Sequence, residues 1–242
     1  MHKPILGILG GVGPLATAYF MQVLVRKTPA MTDQENMPTI VFNDPQIPDR
    51  TAYILDHSKP NPVPEMTKVA RWLENAGADY IAIPCNTAHY FYDAINDAVH
   101  IPVVNIMWET ATRIASQVRE GGTVGLMATE GTVSSGVFQE CFTRRGLLTM
   151  VPTPEEQACI TSLIYDCVKA NQPYDPSLFL SCARSLHARG CDAVVVGCTE
   201  LSVIYQELLE RPSWLYDSLD ILADRCCGIY VNSRKRNGSL EM

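Results

Sequence analysis

The chain lacks the short signatures of several large function classes. Its nine cysteines include no CxxC pair, and no Gly-Lys-Ser/Thr phosphate loop occurs, which argues against a zinc ribbon, a dithiol redox centre and a P-loop enzyme. No long basic run is present and the net charge is −7, so nucleic acid is not an expected partner. Charged residues make up 19% and hydrophobic residues 47%, too apolar for a disordered chain, yet no apolar run reaches the length of a membrane helix. An acidic protein of this kind that binds an anion must do so with a few well-placed cations. The cysteines are scattered through apolar and helical contexts, and the adjacent Cys226-Cys227 lies in a predicted helix where neighbouring side chains diverge. This pattern reads as a reducing, cytoplasmic protein with neither disulfides nor a metal site. The N-terminus imitates a leader, with His2-Lys3 ahead of an apolar stretch at 5–12, but its glycines and Pro14 interrupt that stretch and mark a first strand and its loop.

What the sequence does contain is a duplication. Ala82-Ile83-Pro84-Cys85-Asn86-Thr87-Ala88-His89 is answered, 113 residues later, by Val196-Gly197-Cys198-Thr199-Glu200-Leu201. Each cysteine closes a short apolar run of the character expected of a strand buried on both faces, and each is followed by a residue able to open a helix. Upstream, Gly77-Ala78-Asp79 and Gly190-Cys191-Asp192 end a helix and start the strand at the same distance, eight residues from glycine to cysteine. A chain of 242 residues accommodates two such halves of about 110 residues each. Ligands of open α/β sheets bind beyond the carboxyl ends of the strands, where a cysteine meets a helix N-terminus. The dipole and free N–H groups there are expected to lower the thiol pKa below about 8.5. The bland alternative is that cysteine serves only as a small hydrophobe where strand meets helix.

Strands are predicted at 5–9, 39–43, 80–84, 101–105, 123–128, 147–151, 193–197 and 213–216. Helices are predicted at about 15–27, before Gly77, at 109–119, 133–145, 155–170, up to Gly190, and at 220–231. The expected architecture is two pseudo-symmetric α/β domains, each with a mostly parallel four-stranded sheet flanked by helices, around a cleft. The domains are expected at 1–107 together with about 212–231, and at 108–211, with 232–242 a disordered tail.

Candidate site residues carry competing readings. The loop Gly11-Val12-Gly13-Pro14-Leu15-Ala16 fits GxGxxA, but no acidic residue ends a strand about 20 positions on, so a nucleotide is not favoured. Arg50 follows a double-proline loop and is either a bidentate grip for a carboxylate or a surface arginine paired with Asp49 or Asp44. Thr129 and Thr132 either bind substrate or cap the helix behind them. Lys169 near a helix C-terminus is favoured by the dipole in any case. His89 has no counterpart in the second half, which points to a helix-surface or orienting role.

Two equivalent thiols without a metal, disulfide or cofactor-lysine motif suit inversion of a stereocentre, in which a base on one face removes a proton and an acid on the other returns one. On Gly7-Ile8-Leu9-Gly10-Gly11, Gly13-Pro14-Leu15-Ala16-Thr17, Pro45-Gln46-Ile47-Pro48-Asp49-Arg50, Pro84-Cys85-Asn86-Thr87-Ala88-His89 and Gly197-Cys198-Thr199-Glu200, the chain resembles the cofactor-independent aspartate/glutamate racemase family, and within it the aspartate racemase branch. The likeness runs to about residue 231. It implies racemisation of an acidic amino acid by Cys85 and Cys198 without pyridoxal phosphate, in a homodimer. It also implies that Arg50 and Lys169 hold the side-chain carboxylate, while Asn86, Thr87, Thr129, Thr132 and Thr199 hold the α-carboxylate and α-ammonium. Glu130 would bring an unexpected negative charge to such a site. A glutamate or broad-specificity racemase, a non-catalytic amino-acid binding protein and a nucleotide-dependent oxidoreductase are the alternatives.

Overall fold

A computed structural model describes residues 3–238, with side chains for 3–233. Its strands form two four-stranded, all-parallel sheets. The first contains β1 (Leu6–Gly10), β2 (Thr39–Asn43), β3 (Tyr80–Ala82) and β4 (Val103–Val104), in the order β2-β1-β3-β4. The second contains β5 (Thr123–Met127), β6 (Leu148–Met150), β7 (Ala193–Val196) and β8 (Leu215–Asp217), in the corresponding order β6-β5-β7-β8.

Parallel pairing requires crossovers, and helices supply them. The first half uses α1 (Pro14–Lys27), α2 (Arg50–Leu55), α3 (Val63–Asn75), a 3-10 turn (Thr87–Phe91), α4 (Tyr92–Asn96) and α5 (Ile106–Ala115). The second uses α6 (Glu130–Ser135), α7 (Val137–Thr143), α8 (Pro154–Ser162), a π-helical turn (Leu163–Lys169), α9 (Pro176–Ala188), α10 (Thr199–Tyr205) and α11 (Ser218–Gly238). In both sheets the connections diverge between the two central strands, β1/β3 and β5/β7. Such a switch point opens a crevice at the strand carboxyl ends, which is where both cysteine segments emerge.

Packing explains the periodicities. Met66, Val69, Ala70 and Leu73 of α3 recur at helical spacing and are buried against one face of the first sheet with Leu9 and Ile81. Leu6 and Ile8 alternate to the opposite face, where they join α1 and a core continuous with the second half. The repeat extends to single contacts. A Cβ on Gly7 would lie 2.9 Å from that of Ala78, and one on Gly125 would lie 3.1 Å from Cys191 Sγ, so both central strands need glycine where the outer helix approaches. Both turns before the cysteine strands also need it, with φ of 96° at Gly77 and 100° at Gly190.

Several expectations are revised. β8 pairs with β7, so this strand, expected to belong with the first half, completes the second sheet. Only the following helix α11 crosses back, to pack on α1 and α5. The predicted helix at 133–145 is divided at Gly136, whose left-handed φ of 72° ends α6. Residues 155–170 are helical but change to π geometry at Leu163, which alters the direction in which Lys169 leaves the helix. α11 continues through 232–238, part of the expected tail, because polar residues do not end a helix and 232–237 contain no glycine or proline. Residues 239–242 of that expectation lie outside the described ones.

Candidate active site

Cys85 and Cys198 reach the crevice from opposite halves and line one buried cavity of about 10 Å³, with exposures of 6% and 4%. Cys198 is the N-cap residue of α10, and the N–H of Glu200 points at its sulfur. Cys85 precedes the 3-10 turn and takes the N–H of Ala88. The helix-terminus geometry is thus present, but the expected lowering of the thiol pKa is not. Burial pushes both thiols up, against which Arg50 works at Cys85. At Cys198 the charge and hydrogen bond of Glu200 add to burial and raise the thiol further. In this closed cavity desolvation outweighs a few N–H dipoles.

Arg50 is not on the loop but opens α2, behind an N-cap at Asp49 whose carboxylate accepts the Ala52 N–H at 2.8 Å. Its side chain is buried and donates to the Ile47 and Pro48 carbonyls at 3.1 and 2.9 Å, not to an acidic group, so the surface reading does not hold. Its Nε has no partner among the described residues. Lys169 reaches the same cavity from the π turn, 3.5 Å from Asp49 and 4.2 Å from the centre of the Tyr165 ring. Burial disfavours its charge, but Glu200, Tyr165 and Asp49 more than compensate and hold the ammonium above its ordinary pKa.

The hydroxyls bridge the halves. Thr87 lies 3.0 Å from Thr129 and 2.8 Å from Thr132, Thr199 donates to the Pro84 carbonyl at 3.0 Å, and Asn86 donates to Ser218 at 2.9 Å. Thr129 also caps α6 by accepting the Thr132 N–H, as the capping reading expects, and it lines the inner cavity as well. His89 is buried rather than on a surface. Its ring lies between the Cys85 carbonyl at 2.8 Å and the Val104 carbonyl at 3.4 Å, and burial lowers its pKa, which suits a neutral ring that orients the Cys85 turn. Glu130 is exposed and lines an outer groove with Leu55 and Val133, so it does not place its charge among the site residues.

The acidic group that does so is Glu200, which sequence reasoning quoted in a motif but did not single out. Cys198 donates to its Oε2 at 3.0 Å. Aligning the two cysteines gives the available signal, since Glu200 is then the counterpart of Thr87. Outside the inner cavity a groove of about 490 Å³ shares Asp49, Arg50, Lys169 and Glu200 with it and adds Gly11, Gly13, Leu15 and Pro45. The Gly11–Ala16 segment thus borders this groove. Among the described residues no cluster of three His, Cys, Asp or Glu side chains is placed to hold a metal, and no helix is long and apolar enough to cross a membrane.

Comparison with known proteins shows the family and the fold. A broad specificity amino-acid racemase, RacX of Bacillus subtilis, is 25% identical over 233 residues, covering 93% of this chain and 98% of its own. The structure of Picrophilus torridus aspartate racemase superposes with a TM-score of 0.76 at 28% identity, over 93% of this chain and 94% of that one. A glutamate racemase of Francisella tularensis in complex with D-glutamate shares the fold at 17% identity, with a TM-score of 0.63 over 96% and 82% of the two chains. The Asp/Glu/Hydantoin racemase model matches residues 9–226, nearly the whole described chain, and the protein therefore belongs to that family.

Proposed function

We propose that the protein interconverts L- and D-aspartate by proton transfer at the α-carbon, with no cofactor in the chemistry. One cysteine of the Cys85/Cys198 pair removes the α-hydrogen as a thiolate, the other delivers a proton to the opposite face as a thiol, and the reverse reaction exchanges the roles. Repulsion between two thiolates in one small cavity favours the singly ionised pair this requires. The observation that carries the reading is the pair itself, two thiols from matched positions in the two halves lining one buried cavity. The Ala88 and Glu200 N–H groups stabilise negative charge on the sulfurs.

Arg50 and Lys169 are assigned the side-chain carboxylate. The unpartnered Nε of the buried Arg50 supports this, because a guanidinium without an acidic partner is suited to one supplied by substrate. Asn86, Thr87, Thr129, Thr132 and Thr199 are assigned the α-carboxylate and α-ammonium. A cavity of about 10 Å³ is at the lower limit for one water molecule, so substrate entry must part the Thr87 contacts to Thr129 and Thr132.

The outer groove favours a second reading, a racemase of glutamate or of a broader range. About 490 Å³ is more room than an aspartate side chain needs, and Asp49 and Glu200 balance the charges of Arg50 and Lys169 along it. The deciding experiment incubates the purified protein with aspartate, glutamate and alanine in deuterated water, followed by proton NMR and chiral chromatography. Aspartate exchanging its α-hydrogen fastest, into the opposite enantiomer, is the expected result. Equal rates on all three would select the broad reading, and exchange on none would remove the racemase assignment.

A further inference from the structure

The two cysteines occupy matched positions but do not have matched neighbours. The second residue after Cys85 is Thr87, which turns away to hydroxyls of the other half. The second residue after Cys198 is Glu200, which turns back onto its own cysteine and accepts from Sγ at 3.0 Å. Glu200 is 4% exposed, and its second oxygen, Oε1, has no hydrogen-bond partner among the described residues. That oxygen packs against Gly13, where the absence of a side chain makes the room.

A carboxylate held at this distance acts on a thiol in one direction: it accepts from the S–H form and repels the thiolate. Cys85 has no acidic hydrogen-bond partner of this kind: Glu200 reaches it by charge alone, and the charge that acts on it most strongly, Arg50, favours its thiolate. The other charged or titratable groups facing the pair are Asp49 beside α2 and Lys169 and Tyr165 on the π turn. Lys169 opposes Glu200 at Cys198, but its charge is shared with Asp49 at 3.5 Å.

We infer that Glu200 sets the resting protonation of the pair, holding Cys198 as the thiol and leaving Cys85 as the group that ionises first. The free enzyme is then asymmetric, poised to take the α-hydrogen on the Cys85 side. Glu200 acts through Cys198 and is a positioning residue; the inference rests on the two-thiol reading above.

The test is competitive alkylation of the full chain with iodoacetamide from neutral to about pH 11, a range that reaches raised thiols, read as the separate rates at Cys85 and Cys198 by peptide mass spectrometry. Both thiols share one cavity, so opening affects both, and the pH midpoint of each rate does not depend on access. In the parent, Cys85 is expected to react about tenfold faster than Cys198 near neutral pH, with the lower midpoint. Glu200→Gln should raise the Cys198 rate about tenfold and lower its midpoint by about one pH unit, while Cys85 changes much less. A parent in which Cys198 reacts as fast as Cys85 would overturn the inference, as would a Glu200→Gln protein with an unmoved ratio. If Glu200→Gln does not fold, the parent midpoints decide alone. Racemisation by Cys85→Ser and Cys198→Ser tests the two-thiol reading separately, because either result is compatible with either order of alkylation.

Discussion

In the first half the Asp79 carboxylate accepts the Ile5 N–H at 2.6 Å; in the second, Asp192 accepts the Thr123 N–H at 2.8 Å. Gly77 and Gly190 make the same left-handed turn, and Gly7 and Gly125 admit the same outer helix. The agreement ends at the strand carboxyl ends. A glycine loop corresponds to a threonine loop, Asn86 to Thr199, Thr87 to Glu200, and Asn105 after β4 to Asp217 at the end of β8. The scaffold is symmetric because sheet and helix packing constrain it, whereas the cleft must handle a molecule whose substituents all differ. Departures from the repeat therefore mark the residues that meet the substrate or tune those that do.

The comparison breaks most severely if the two cysteines are unequal in necessity. Cys85→Ser and Cys198→Ser should each reduce racemisation of aspartate by about 10²–10⁴-fold or more with the fold intact, measured by chiral chromatography and circular dichroism. A serine hydroxyl is too weak an acid for either role. Near-parent activity in one of them would leave a single-base enzyme with an ornamental second half.

The two cations of the cavity come one from each half, Arg50 from α2 and Lys169 from the π turn. Arg50→Lys should weaken kcat/KM for aspartate by about 2–5 kcal/mol, since a point-charge ammonium does not reproduce a planar bidentate grip. Alanine, which has no distal carboxylate, is the control. An equal loss on both substrates would move Arg50 from substrate recognition to support of the fold.

Asp217 sharpens the comparison through stability. It is fully buried, one oxygen lies 2.5 Å from Ser202 Oγ, and the other has no partner among the described residues. Burial raises its pKa to about 7 from the ordinary 3.8 of an aspartate. Between these values the folded protein keeps a proton that the unfolded chain has released, so its stability contribution falls as pH rises from about 4 to about 7. Asp217→Asn, which gives the second half the residue of the first, should remove that slope. The variant should be more stable than the parent above neutral pH by on the order of 1–3 kcal/mol, in urea titrations at several pH values. A parallel pH dependence in parent and variant would show that Asp217 is not the titrating group.

Two glycines test the frame itself. Gly7→Ala and Gly125→Ala should each destabilise by about 1–3 kcal/mol in denaturant unfolding, Gly7→Ala the more because its new Cβ meets another Cβ at 2.9 Å. No loss at either position would mean that the helix–sheet approach is looser than the repeat requires.

Much of this was legible in the sequence because it rests on local rules. Apolar runs of strand length, glycines at left-handed turns and a second copy of the same pattern determined two parallel α/β halves with a cysteine at the mouth of each. Arg50, Lys169, Thr129 and Thr132 stand out in the sequence itself, and the resemblance is what implies their roles toward a substrate. What only the tertiary structure decided lies where distant segments meet. β8 joined the second sheet because its edge pairs with β7, which no local pattern in 213–216 encodes. The thiols came out raised rather than lowered because desolvation depends on everything packed around a sulfur, whereas the helix N-terminus that favours ionisation is visible in a few consecutive residues. Glu130 and Glu200 show the same division. Both are acidic residues in the first turn of a helix beside a site loop, Glu130 at its first position and Glu200 at its second, yet one faces solvent and the other is buried against a thiol, and the burial of each is set by how long-range packing seats its helix.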